Sequence, residues 1–304
     1  MGELVTYRGV MVDSERWVRF EHRPGDIVIS TPPKSGTTWT QMLCALMIFD
    51  GSTFPAKIDA ISPWLDMRIR SEDEVFDIYD RQTHRRFIKT HTPLDGLPLR
   101  DDVHYVVVGR DPRDVMVSWE HHMSNMHLDV VLQNRIDAVG LDDLDEYDPP
   151  SPPEPDPAVR FRNFVEAEWS PRELVSLANV LHHLDTGWQR REVANVGLFH
   201  FLDYRRDLVG EMVRLAELCA VDVDRDRLAE LAPEAGIDRM RDRAGEIVPG
   251  IAKSEHWKDP AGFFRSGTSG EWLERTTPPD RARYDERVAE LVPDDLARWV
   301  HEGR

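Results

Sequence analysis

The chain has 304 residues, enough to bury a sizeable core, and sets 56 acidic against 38 basic residues for a formal net charge of −18. That balance argues against a nucleic-acid binder, whose footprint is a broad basic face, so an anionic ligand must meet a local basic pocket. Only two cysteines occur, Cys44 and Cys219, each in an apolar helical pattern, which predicts buried reduced thiols rather than a disulfide framework.

No apolar run approaches the roughly 18 residues of a membrane span, and the N-terminus lacks an apolar signal core. The expectation is a cytoplasmic protein without a transmembrane segment, folded as a single domain over residues 1–304.

In chain order, the first strand signal is DIVIS, Asp26 to Ser30. The loop STPPKSGTTW follows, and then TTWTQMLCALMIF, where Trp39, Met42, Leu43, Leu46 and Met47 recur at helical spacing. RFIKTH, Arg86 to His91, is a short apolar run closed by Pro93 and reads as a strand ending in a loop. HYVVVG, His104 to Gly109, is β-branched and nearly continuous, as buried parallel strands are. Asp111 is placed to cap a helix that has Pro112 at its first position and runs through RDVMVSWEHH.

The acidic, proline-rich segment DDLDEYDPPSPPEPDP, at about 142–157, has no lysine or arginine. It reads as a surface insertion, with a lid over a substrate mouth as the sharper alternative. Beyond it, VGLFHFLDY gives another strand and LVGEMVRLAELCAV an amphipathic helix. Strands alternating with helices predict an α/β fold: a central parallel sheet flanked by helices, with a P-loop-like strand-loop-helix and ligands at the carboxyl ends of the strands.

The loop PKSGTTW has the parts of an anion cradle: amides at a helix N-terminus, the helix dipole, a lysine and several hydroxyls. Gly36 permits close backbone approach, while Ser35, Thr37 and Thr38 add donors. It is not a Walker loop, because Lys34 precedes the glycine instead of following it, and the loop offers no evident equivalent of the Walker hydroxyl that holds magnesium. Arg110 lies at the end of the third strand, and Ser118 sits about two helical turns later on roughly the same side, so the two can converge on a second phosphate. The plainer reading pairs Arg110 with Asp111 or Asp114. A third stretch, FFRSGTSGEW, joins Arg265 to a glycine-rich turn.

TPPKSGTTW, FIKTHTPLDGLP, VVVGRDPRDVMVS and FFRSGTSGEW, in this order across residues 31 to 272, resemble the signature set of sulfotransferases that use 3′-phosphoadenosine 5′-phosphosulfate (PAPS) and release 3′-phosphoadenosine 5′-phosphate (PAP). HRRFIKTHTPLDGL and SPWLDMRIR look closest to the bacterial glycolipid sulfotransferases. The resemblance implies that Lys34, Ser35, Gly36, Thr37 and Thr38 hold the 5′-phosphosulfate, that Trp39 stacks on the adenine, and that Arg110, Ser118, Arg265, Ser266 and Gly267 bind the 3′-phosphate. It also implies that His91 is the catalytic base and that Lys89 contacts the transferred group.

The chain departs from the family pattern at three places. Arg265-Ser266-Gly267 stands where Arg-Lys-Gly is usual. Phe201 stands for an adenine-contacting tyrosine, with Tyr204 as a substitute nearby, and Ile237 stands for a stacking aromatic.

Lys89 and His91 alternate in period two, so in a continuing strand they point the same way. No carboxylate cluster suggests a metal, which leaves lysines to neutralise charge. The acceptor implied is a glycolipid or small molecule with a free hydroxyl, and the oligomeric state is open. His121 and His122 are candidates for the border of the acceptor pocket without an assigned role. Trp64, Trp119 and Trp169 are the kind of large aromatics that more often fill cores, an apolar acceptor wall being the other reading. The competing functions are a P-loop kinase and a non-catalytic nucleotide-binding protein.

Overall fold

The computed structural model describes residues 3–141, 154–247, 256–264 and 267–304. Four short parallel strands form its sheet: β1 (Ile27–Ser30), β2 (Phe87–Thr90), β3 (His104–Gly109) and β4 (Val196–His200), in the order β2-β1-β3-β4. β1 is flanked on both sides and buried along its whole length, which is why its run is apolar without alternation.

Successive residues point to opposite faces and feed two separate cores. Val28, Ile88, Tyr105 and Val107 pack with the helix Leu177–Trp188 and the C-terminal helices Pro278–Leu291 and Asp294–Glu302. Ile27, Ile29, Phe87, Val106 and Val108 pack with Met42, Leu43 and Leu46 of the helix Thr37–Ile48 and with Met212 and Leu215 of the helix Leu208–Leu218. Cys44 and Cys219 are free buried thiols in this second core.

At the opposite edge from the ligand end, Arg86 forks onto Asp26 through 2.8 and 2.5 Å hydrogen bonds, tying the starts of β1 and β2 together. Asp111 caps the helix Pro112–Ser124 through a hydrogen bond from the Arg113 amide, with proline at the first position as read from the sequence.

One boundary differs from the sequence reading. The apolar run VGLFHFLDY does not stay extended: the strand stops at His200, and Phe201–Arg206 is a helix. The reason is the His200 ring, whose Nδ1 accepts from the Leu202 amide while its Nε2 lies 3.0 Å from the Val300 carbonyl, so a histidine acts as an N-cap. Of the acidic segment, residues 142–153 lie outside the described residues. Its last residues already start a helix, Pro157–Glu166, capped by Asp156.

Strand register fixes what meets at the carboxyl edge. Ser30 is level with Thr90, so Thr31 and His91 leave the sheet side by side. Gly109 is level with His200, so Arg110 and Phe201 do the same.

Candidate active site

A cavity of about 1160 Å³ opens at this edge. Lys34, Gly36, Thr37, Thr38, Trp39, Lys89, His91, Arg110, Ser118, Phe201 and Gly267 all line it, which brings nearly every residue singled out in the sequence to one place.

The loop after β1 owes its shape to two left-handed residues. Gly36 has φ +111° and begins the helix Thr37–Ile48; Lys34 has φ +66°, a conformation that costs a non-glycine residue about 1 kcal/mol. No side chain caps this helix and its first turn holds no acidic residue, although acids outnumber bases across the chain by 56 to 38. Most of the longer helices are capped by aspartate, serine or threonine, as at Ser71, Asp111, Asp156, Ser176, Asp207 and Thr277. Ser35 is the exception among the loop residues. Its side chain is fully buried and its Oγ has no hydrogen-bond partner among the described residues, and it is not part of the cavity wall.

Among the described residues the hydrogen bonds of Arg110 go to backbone carbonyls, while its charge also acts on Asp114. Its Nη1 donates to the Lys34 carbonyl at 3.0 Å and its Nη2 reaches the Thr268 carbonyl at 3.4 Å, with the guanidinium over the Phe201 ring. Asp111 is spent on Arg113, and Asp114 accepts from the Gly270 amide, which draws the loop containing Gly267 and Thr268 toward Arg110. Arg265 and Ser266 lie outside the described residues. Gly267, at φ +63°, packs near Ile237, which also faces the cavity.

Trp39 meets Phe201 and Tyr204 edge-on, both at 5.4 Å between ring centres. Tyr204 is almost wholly buried and its hydroxyl lies 3.2 Å from Thr40 Oγ1, so it supports Trp39 from behind.

His91 is held in one tautomer. Its Nδ1 lies 2.6 Å from the Thr31 carbonyl, an acceptor only, so that nitrogen carries the proton and Nε2 keeps its lone pair. Burial, aided by the Lys89 ammonium, keeps the imidazole well below its usual pKa and therefore neutral. Lys89 is buried with its ammonium 5.1 Å from the Trp64 ring centre, and burial lowers its pKa to about 8. Trp64 also stands edge-on to His91 at 4.5 Å. The turn that carries both is stiffened by Asp66, which accepts from Thr90 Oγ1 at 2.8 Å and Thr92 Oγ1 at 2.5 Å.

Two histidines belong to the cavity wall: His122, which the sequence reading placed at the pocket border, and His183, which it did not name. Lys34 Nζ donates to His122 Nδ1 at 3.2 Å, and the His122 ring is stacked on Trp119 and flanked by Trp257 and Phe263. His183 Nε2 donates to Ser30 Oγ at 3.0 Å, while that hydroxyl donates to the Thr92 carbonyl, so β1 is tied to the turn after His91. His121 instead faces Glu271 and Arg275. Trp64, Trp119 and Trp169 line the cavity, so the core reading gives way to the acceptor-wall reading for all three. Only their separation along the chain hid this.

The sulfotransferase domain family matches residues 24–295. The chain belongs to the sulfotransferase family. A glycolipid sulfotransferase of Mycobacterium bovis is 42% identical over the whole of this chain and 96% of its own length. Sulfotransferase 1 family member D1 of Rattus norvegicus is 24% identical, covering 99% of this chain and 96% of that one. The crystal structure of mouse sulfotransferase SULT7A1, a complex with PAP, superposes with a TM-score of 0.67 at 20% identity, over 94% of this sulfotransferase and 92% of the mouse chain. The protein is thus an enzyme of the sulfotransferase type with an α/β fold, and nothing favours the kinase reading. Among the described residues, no helix is long and apolar enough to cross a membrane.

Proposed function

We propose that this sulfotransferase uses PAPS as donor, works in the cytoplasm as a single domain, and sulfates a hydroxyl of a glycolipid or small hydroxylated acceptor. The observation that carries the donor reading is the helix N-terminus at Gly36, uncapped and without acids in its first turn, with Lys34 beside it and Arg110 bonded to its loop. Amides, dipole and two cations suit a ligand with two separate phosphates. Lys34 through Thr38 would hold the phosphosulfate end, with Ser35 acting through its backbone. Arg110 and Ser118, with Arg265, Ser266 and Gly267, would hold the 3′-phosphate, and Trp39 with Phe201 would receive the adenine. The acceptor reading rests on the relative at 42% identity and on the wall of methionine and tryptophan in the cavity, including Met11, Met67, Met126 and Trp169.

When bound, PAPS supplies the sulfuryl group, and PAP remains. His91 takes the proton of the attacking hydroxyl at Nε2, the nitrogen left unprotonated by the bond to Thr31. Lys89 would supply positive charge to the sulfuryl group, and Lys34 would neutralise charge on the leaving phosphate. Little covalent chemistry is asked of the protein, so positioning and charge carry the rate.

The deciding experiment is an acceptor screen with radiolabelled PAPS, comparing wild type with His91→Ala, beside calorimetry of PAP and AMP. Label transfer that requires His91, and binding that prefers PAP, support the proposal. Equal affinity for PAP and AMP would overturn the donor assignment.

A further inference from the structure

Away from the loop and from His91, the cavity wall holds a cluster that the chemistry above does not use. Trp169 is 40% exposed, the most exposed of the nine tryptophans, and it lines the cavity. It is not loose: Tyr7 meets it edge-on at 6.5 Å and the His182 ring lies 5.1 Å from it, so one indole face is presented on a fixed support.

Behind it sits a closed triangle of polar atoms. Tyr7 Oη donates to Asp95 Oδ1 at 2.8 Å, His182 Nε2 donates to Asp95 Oδ2 at 3.0 Å, and Tyr7 Oη and His182 Nε2 are 2.9 Å apart. Two donors on one carboxylate fix the protons. His182 carries its hydrogen on Nε2, so Nδ1 is an acceptor. That nitrogen makes no hydrogen bond among the described residues, and about a third of the side chain is open to the cavity. Next to it on the same helix, His183 bonds the Ser30 hydroxyl, which in turn donates to the Thr92 carbonyl after His91, so the cluster and the base share one wall.

A rigid, half-open indole beside a preset ring acceptor and a tyrosine hydroxyl is the chemistry that recognises a sugar: the apolar face of a pyranose ring lies on the aromatic, and its hydroxyls find oriented partners. We infer that Trp169, His182 and Tyr7, the last two held from behind by Asp95, form a hexose subsite, which seats the sugar ring of an acceptor so that one of its hydroxyls reaches His91. This rests on the acceptor side of the reading above but not on the donor side.

The test therefore reads binding without turnover. Saturation-transfer NMR of the full chain, without donor, uses octyl β-glucoside and, as a control of equal tail, pentaethylene glycol monooctyl ether. Expected is saturation of the sugar ring protons in wild type, reduced at least fivefold in Trp169→Ala and in His182→Gln, while tail protons of both compounds are unaffected. The glutamine can keep the bond to Asp95 but lacks the ring acceptor, so its loss of signal separates recognition from support. Sugar protons unsaturated in wild type, or equally saturated in both variants, would overturn the subsite. Sugar binding in a protein that never sulfates any acceptor would uphold the subsite and sink the proposed function instead.

Discussion

Lys89, proposed to stabilise the sulfuryl oxygens, is a cation whose charge its burial weakens. Buried beside Trp64 with an ammonium pKa lowered to about 8 by desolvation, it is charged at pH 7, half charged at pH 8 and about one-tenth charged at pH 9. If its charge stabilises the sulfuryl oxygens, kcat/KM for PAPS, which reports the free enzyme, should fall about tenfold per pH unit above 8. The acid side should behave oppositely. His91 is depressed below its ordinary pKa of about 6.5, so it stays a base as the pH drops through 6.5, and the acid limb appears only below that. Lys89→Arg isolates the cause, since a guanidinium does not deprotonate in this range. Initial rates with radiolabelled PAPS between pH 5 and 10, at saturating acceptor, should show the alkaline limb in wild type and lose it in the arginine variant, even if the overall rate is lower. A wild-type profile flat to pH 10, or an unchanged limb in Lys89→Arg, would refute the reasoning.

Three further outcomes follow from the same geometry. His91→Ala should lower turnover by at least about two orders of magnitude, the size of a lost general base, while calorimetry shows PAP binding largely unchanged; a variant that keeps its turnover would remove His91 from the chemistry. Lys34→Ala and Lys34→Gly should both be nearly inactive, yet the glycine variant should be the more stable by about 1 kcal/mol, because φ +66° penalises alanine and not glycine; chemical denaturation orders the two. Stability should also fall as pH drops from about 6.5, since His91, His122 and His183 are held neutral by burial while the unfolded chain takes up protons there. Each contributes up to about 1.4 kcal/mol per pH unit, offset in part by Asp66, whose pKa burial raises. Denaturant midpoints that are level from pH 7 to 5.5 would contradict that.

The parallel sheet, the loop after β1 and the grouping of Lys34, Lys89, His91, Arg110 and Ser118 were legible because each is written locally. An apolar run, a glycine that can turn left-handed and a period-two pair carry their geometry within a few residues. The end of β4 was not, because Phe201, Leu202 and Tyr204 are as apolar in a strand as in a buried helix, and the decision rests on the His200 cap and on Val300, 100 residues on. The partners of His122, and His183 altogether, were missed for the same reason. One owes its place to Lys34 and the other to Ser30, contacts that no spacing rule reports. A signal did exist for His122: it lies four residues after Ser118, one helical turn along the same face. The tryptophans of the cavity come from segments around residues 64, 119 and 169, and only the closed fold shows that they share a space.

The donor-free site is itself under electrostatic load. Lys34 and Lys89 both depress His91 and His122, after burial, and the charges of Asp59 and Asp66 offset only part of what burial takes from the Lys89 ammonium. An acidic chain that gathers cations in one cavity leaves part of their neutralisation to an anionic ligand, and Lys89, whose protonation burial weakens, should report the ligand's arrival. At pH 8 about half of the molecules lack the Lys89 proton, and a bound polyanion should restore it. PAP is already fully ionised at that pH, its phosphates having second pKa values near 6, so it has no proton to release. Calorimetric titration with PAP in two buffers of different ionisation heat should therefore register uptake of about half a proton at pH 8 and no net uptake at pH 7, where Lys89 lacks only about a tenth of a proton and each phosphate of PAP keeps about a tenth to release. In Lys89→Arg the uptake at pH 8 should vanish. Equal uptake at the two pH values, or uptake that survives the arginine, would mean that Lys89 does not sense the donor and that the charge balance of the site is set elsewhere.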